Sequence, residues 1–78
     1  MDQVTDRLRD CFKEVFPDLA DEQIEAAVRE DMSEWDSLAT LTLLAVVEEE
    51  FGLQLDEDAI AKLTSFSAVR DVVEAGGG

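Results

Sequence analysis

Few side chains in this sequence are reactive by type. Histidine is absent and Cys11 is the only cysteine. That removes Ser-His and Cys-His pairs, histidine-bearing zinc sites and any internal disulfide. Carboxylates are plentiful, but Asp56-Glu57-Asp58 lacks the alternating spacing and mid-loop glycine of a calcium loop. No metal site is expected. The residue of interest is Ser37, within Trp35-Asp36-Ser37-Leu38. No histidine or lysine stands near it in sequence to serve as a base, so it is not expected to attack a substrate unaided. Asp36 is a good helix N-cap, which puts Ser37 in the first turn of a helix. Unpaired backbone N–H groups and the positive dipole end there favour a phosphodiester. A loop-to-helix junction should also leave the hydroxyl exposed. The plainer alternative is that Ser37 only helps to cap the helix, as many serines after loops do.

That junction must be held by helices. Sustained apolar/polar alternation is missing, whereas spacings of three and four recur. A first helix is expected over 2–16, from Asp2 to Phe16, with Val4, Leu8, Cys11, Phe12 and Val15 on one face. Cys11 reads as a small core residue, since no base or cation is placed to lower its pKa. Pro17 ends the helix by pushing its predecessor out of helical geometry. A long connection follows to Asp36. A structureless loop of about twenty residues is unusual in a small domain, so partial helix is expected over 20–29, with Ile24, Ala27 and Val28 covering the core. Glu30, Asp31, Ser33 and Glu34 read as loop.

The second helix is expected over 37–51 and stops at Gly52. Thr40, Leu43, Leu44, Val47 and Phe51 form one stripe on it. Leu38, Leu41, Thr42, Ala45, Glu48 and Glu49 form another. The second stripe is either buried or kept for a partner. Leu53 and Leu55 plug the core, and Asp56 caps a short third helix over 57–63 with Ile60 and Leu63 inward. Ser65 or Ser67 caps a last helix ending near Ala75, with Phe66, Val69, Val72 and Val73 inward. Residues 76–78, all glycine, read as a flexible end. The expected fold is all-α: a small four-helix bundle with a long loop between its first two helices and a short third one, forming a single domain over 1–78.

With 78 residues, such a domain buries only about 60% of its unfolded surface and leaves no room for a deep cleft, so it is not expected to be an enzyme. The formal charge is −14, from 20 acidic and 6 basic residues. Nucleic acid and anionic membrane are therefore not expected partners. Basic protein surfaces are. No segment approaches the about 20 apolar residues of a membrane span, and the start of the chain lacks a signal-peptide pattern. With its lone cysteine, the chain reads as a cytoplasmic monomer in a reducing compartment.

Asp36-Ser37-Leu38, the apolar helix behind it, and Glu48-Glu49-Glu50-Phe51-Gly52 at its far end resemble the attachment site of acyl carrier proteins. The resemblance spans nearly the whole chain: helix, long loop, Asp-Ser-Leu, second helix, two shorter helices. It implies that Ser37 bears 4'-phosphopantetheine, placed there from coenzyme A by a separate phosphopantetheinyl transferase. The thiol of that arm would hold an acyl or aminoacyl group as a thioester. Asp36 would both cap the helix and be read by the transferase. The second helix would meet the loading enzyme and downstream synthases or transferases through basic docking surfaces. Leu38, Leu41, Thr42 and Ala45 would be contact positions, with Glu48 and Glu49 meeting Arg and Lys. Three acids at a helix C-terminus oppose the dipole without obvious structural gain, which itself suggests a functional use. Ala39 and Thr42 stand where typical fatty-acid carriers have polar or acidic residues. Trp35 resembles the residue before the motif in stand-alone carriers of specialised pathways, and it is expected to pack the loop against the helix. These departures point to a polyketide, aminoacyl or sugar-modifying pathway rather than primary fatty-acid synthesis. The competing function is an acidic helical interaction module or inhibitor in which Ser37 is only a cap.

Overall fold

Residues 3–76 are described by the computed structural model, and all of its regular elements are helical. Helix α1 spans Gln3–Val15 and buries Leu8, Cys11 and Phe12, with Val4 and Val15 packed at the margin of the core. The expected start at Asp2 lies outside the described residues. Phe16 is buried after the last turn, and its N–H donates to the Phe12 carbonyl at 2.7 Å. Pro17 follows at once.

The long connection contains helix α2, Asp21–Glu25. Its first turn is closed by Gln23, whose Oε1 accepts from the Ala20 N–H at 2.8 Å. Ile24 and Ala27 are buried as their spacing predicts. The chain then becomes extended at Val28 and runs antiparallel to the segment before the last helix. Arg29 N–H donates to the Thr64 carbonyl at 2.8 Å, and Phe66 N–H donates to the Ala27 carbonyl at 3.0 Å. This pairing stops α2 where no glycine or proline does. A single 3-10 turn, Arg29–Asp31, stands where loop was expected. The chain thus forms five α-helices among the described residues rather than the four expected, because the partial helix in the connection is a distinct element.

Helix α3 spans Ser37–Phe51. Gly52 closes it in the left-handed region at φ 65°, and its N–H donates to the Glu48 carbonyl. Thr40, Leu43 and Val47 are buried, so the first stripe is the inward one. Helix α4, Glu57–Ala61, is capped by Asp56, whose Oδ1 accepts from Ala59 N–H at 2.8 Å. Helix α5, Phe66–Glu74, is capped by Ser65, whose Oγ accepts from Ala68 N–H at 3.0 Å. All four inward residues expected on α5 are buried. Gly76 forms a turn, its N–H donating to the Val73 carbonyl, while 77–78 lie outside the described residues.

Helix α1 packs against α2, α3 and α5. At the centre Phe12 meets Trp35 edge-on at 5.4 Å, Phe66 at 5.1 Å and Phe16 at 6.1 Å, and Phe16 lies 5.7 Å from Trp35. Such a cluster supplies much of the apolar burial available to so small a chain. Surface ion pairs tie α1 to its neighbours: Lys13–Asp21 at 2.5 Å and Arg9–Glu25 at 2.9 Å to α2, and Arg7–Glu50 at 2.8 Å to α3. Being exposed, each adds little stability. The Lys13 ammonium nonetheless holds the Asp21 carboxyl below its ordinary range by hydrogen bonding.

Candidate functional site

Asp36 is extended (φ −93°, ψ −172°), and its Oδ1 accepts from the Ala39 N–H at 2.8 Å while its carbonyl accepts from the Thr40 N–H at 2.9 Å. Thr40 is buried, and its hydroxyl donates to the same carbonyl at 2.9 Å. The cap is therefore fastened from both sides. Ser37 follows as the first helical residue and is exposed. Its side chain makes no hydrogen bond with another described residue, nor do the Ser37 and Leu38 amides. The helix thus presents an exposed hydroxyl beside unpaired N–H groups at its positive end. The residues fit a phosphodiester on Ser37 Oγ. No carboxylate, amine or thiol among the described residues is hydrogen-bonded to the Ser37 hydroxyl.

The second stripe of α3 lies outside the core. Leu38 is 73% exposed and Leu41 56%, the two large apolar side chains left open to solvent among the described residues. Thr42 and Ala45 are exposed beside them, and the Thr42 hydroxyl is turned back onto the Leu38 carbonyl at 3.0 Å. The structure therefore brings Ser37, Leu38, Leu41, Thr42 and Ala45 onto one open surface.

The three glutamates at the end of α3 are not a local cost without structural gain, as their sequence suggests, because two have internal partners. Glu48 is half-buried, and its Oε2 accepts from the Leu55 N–H at 2.8 Å, which fastens the turn after Gly52. Glu50 pairs with Arg7, whose guanidinium also donates to the Glu50 carbonyl and lies 4.6 Å from the centre of the Phe51 ring. Arg7 caps the C-terminus of α3 from another helix. No sequence signal marked that role, because the contact spans 43 residues. Glu49 remains exposed and borders a shallow acidic groove with Asp10, Glu14 and Glu50 above Cys11. The Cys11 thiol is buried, and burial pushes it up to about 12, with the Glu50, Glu14 and Asp10 carboxylates adding to the rise. It is inert in the folded chain.

No cluster of Cys, Asp or Glu among the described residues is arranged to hold a metal ion. Nor is any helix among them long and apolar enough to cross a membrane. No protein-family model, curated protein or solved structure matches this chain.

Proposed function

We propose that this chain is a stand-alone carrier protein that bears 4'-phosphopantetheine on Ser37 and catalyses nothing itself. The observation that carries the reading is the exposed, uncommitted Ser37 hydroxyl at the capped N-terminus of α3. In loading, Ser37 Oγ bonds to the phosphorus next to the pantetheine of coenzyme A. The pyrophosphate linkage breaks, the adenosine bisphosphate part leaves, and the serine proton passes to a base of the transferase. The arm's thiol then holds an acyl or aminoacyl group as a thioester, a chemistry that the buried Cys11 cannot supply. Leu38 and Leu41 meet partner enzymes as apolar contacts, and the strongly acidic surface steers basic partners towards them at low salt. The departures at Trp35, Ala39 and Thr42 favour a specialised pathway.

The test is intact-mass analysis after incubation with a phosphopantetheinyl transferase, magnesium and coenzyme A. The chain gains one phosphopantetheine, and Ser37→Ala gains none while keeping its fold. A folded wild-type chain that gains no mass with several transferases refutes the proposal. The exposed Leu38–Leu41 surface also suits a plain interaction module, and a Ser37→Ala chain with full function in its host would favour that alternative.

A further inference from the structure

The segment after α2 and the segment before α5 are fastened to each other through their backbones. Val28 faces Ser65 in an antiparallel bridge, flanked by the Arg29 N–H on the Thr64 carbonyl at 2.8 Å and the Phe66 N–H on the Ala27 carbonyl at 3.0 Å. Beside this clip lies a groove of about 630 Å³, lined by Val28, Arg29, Glu30, Trp35, Thr64 and Ser65. Its size is that of a small-molecule site, and main-chain hydrogen bonds hold its two banks in place. The surface of the groove is mostly apolar, although four of its six lining residues are charged or hydroxylic. Such side chains cover a wall with their hydrocarbon stems and keep their polar heads in water.

Two of those heads are charged and unpaired. Of the six basic residues, Arg7, Arg9, Lys13 and Arg70 lie within ion-pair distance of a carboxylate. Arg29 is half-buried and has no such partner among the described residues, in a chain with 20 acidic ones. Glu30 is exposed and has none either. The two follow each other on the 3-10 turn, and neighbours in sequence on a helical turn do not face one another. An apolar groove therefore carries one free cation and one free anion. The guanidinium is a fork shaped for a carboxylate. A simple anion is repelled by the net charge of −14, and a simple amine has 20 acidic residues to choose among. A molecule that bears both charges is neutral overall and satisfies both heads. We propose that this groove binds a free α-amino acid with a large apolar side chain. Its carboxylate pairs with Arg29, its ammonium pairs with Glu30, and its side chain leaves water against the apolar walls. The site does not involve Ser37 and stands apart from the carrier reading.

The test titrates the isotope-labelled full chain with four compounds. They are phenylalanine, phenylpropanoate without its ammonium, phenethylamine without its carboxylate, and glycine without its side chain. The amide signals of 28–30 and 64–65 and the Trp35 indole N–H signal are followed by two-dimensional NMR. Phenylalanine has twelve non-hydrogen atoms, for which a Kd of about 2 mM is expected. The other three compounds should bind at least about five-fold more weakly, since each lacks one of the three contacts. Arg29→Gln and Glu30→Gln should each weaken phenylalanine by at least about five-fold, with Tm within about 3 °C of wild type. Ser37→Ala should bind phenylalanine as wild type does. The absence of a saturable shift up to about 20 mM phenylalanine, ten times the expected Kd, overturns the proposal. So does phenylpropanoate or phenethylamine binding as tightly as phenylalanine, or a folded Arg29→Gln chain with undiminished affinity. If the variants do not fold, the series of compounds on wild type decides alone.

Discussion

Replacing Asp36 by alanine removes the carboxylate oxygen that accepts the Ala39 N–H at 2.8 Å. It also removes a negative charge from the positive end of a 15-residue helix. Losing a cap of this kind costs about 1 kcal/mol, and the lost charge costs a further ~0.3–1 kcal/mol. For a domain of 78 residues, each kcal/mol lowers Tm by about 6 °C. Asp36→Ala should therefore lower Tm by about 8–12 °C. Asp36→Asn keeps an oxygen in the capping position and loses only the charge, so it should lower Tm by about 2–6 °C. Ser37→Ala breaks no hydrogen bond seen here and should leave Tm unchanged or slightly raised. Thermal unfolding followed by far-UV circular dichroism measures all three. An Asp36→Ala chain as stable as wild type would refute the cap as the organiser of this junction. An Asp36→Asn chain as destabilised as Asp36→Ala would show that charge, not capping, holds it. If the transferase reads the carboxylate, Asp36→Asn remains folded and loads at least ten-fold more slowly.

Two other expectations concern opposite faces of the molecule. Truncating both Leu38 and Leu41 to alanine removes exposed side chains, so stability should change by less than about 0.5 kcal/mol, while the KM of the transferase for this chain should rise by an order of magnitude; an unchanged KM would remove these residues from the docking surface. Cys11 should resist a thiol reagent at neutral pH and react only as the chain unfolds. Because the thiol ionises from its ordinary 9.0 in the unfolded chain and from about 12 in the folded one, the unfolded state binds fewer protons between those values. Stability that is fully present below pH 9.0 is then lost as pH rises through that window. The urea midpoint should fall across it for wild type and fall less for Cys11→Ala, and equal slopes would show that Cys11 is not the group responsible.

Structure set by neighbours in sequence was legible residue by residue. Asp36 and Gly52 delimit α3 because a cap and a left-handed glycine act within one turn. The buried faces of α1 and α5 follow from spacing alone, since a helix fixes which side chains share a face. Ser37 was placed in a first helical turn for the same local reason. The choice between Ser65 and Ser67 as the last cap was open to sequence, and it was resolved by where Phe66 N–H finds the Ala27 carbonyl.

Residue types and spacing thus determined an all-helical class, the acidity of the chain and the helix boundaries around Ser37. Only the tertiary structure decided which stripe of α3 turns inward, leaving Leu38 and Leu41 in solvent. It also decided that Glu48 and Glu50 are occupied by Leu55 and Arg7, and that Trp35 is sealed among Phe12 and Phe16. The reason is physical. Caps and turns spend their hydrogen bonds within a few residues, whereas packing and remote pairs depend on which surfaces meet once helices distant in sequence have come together.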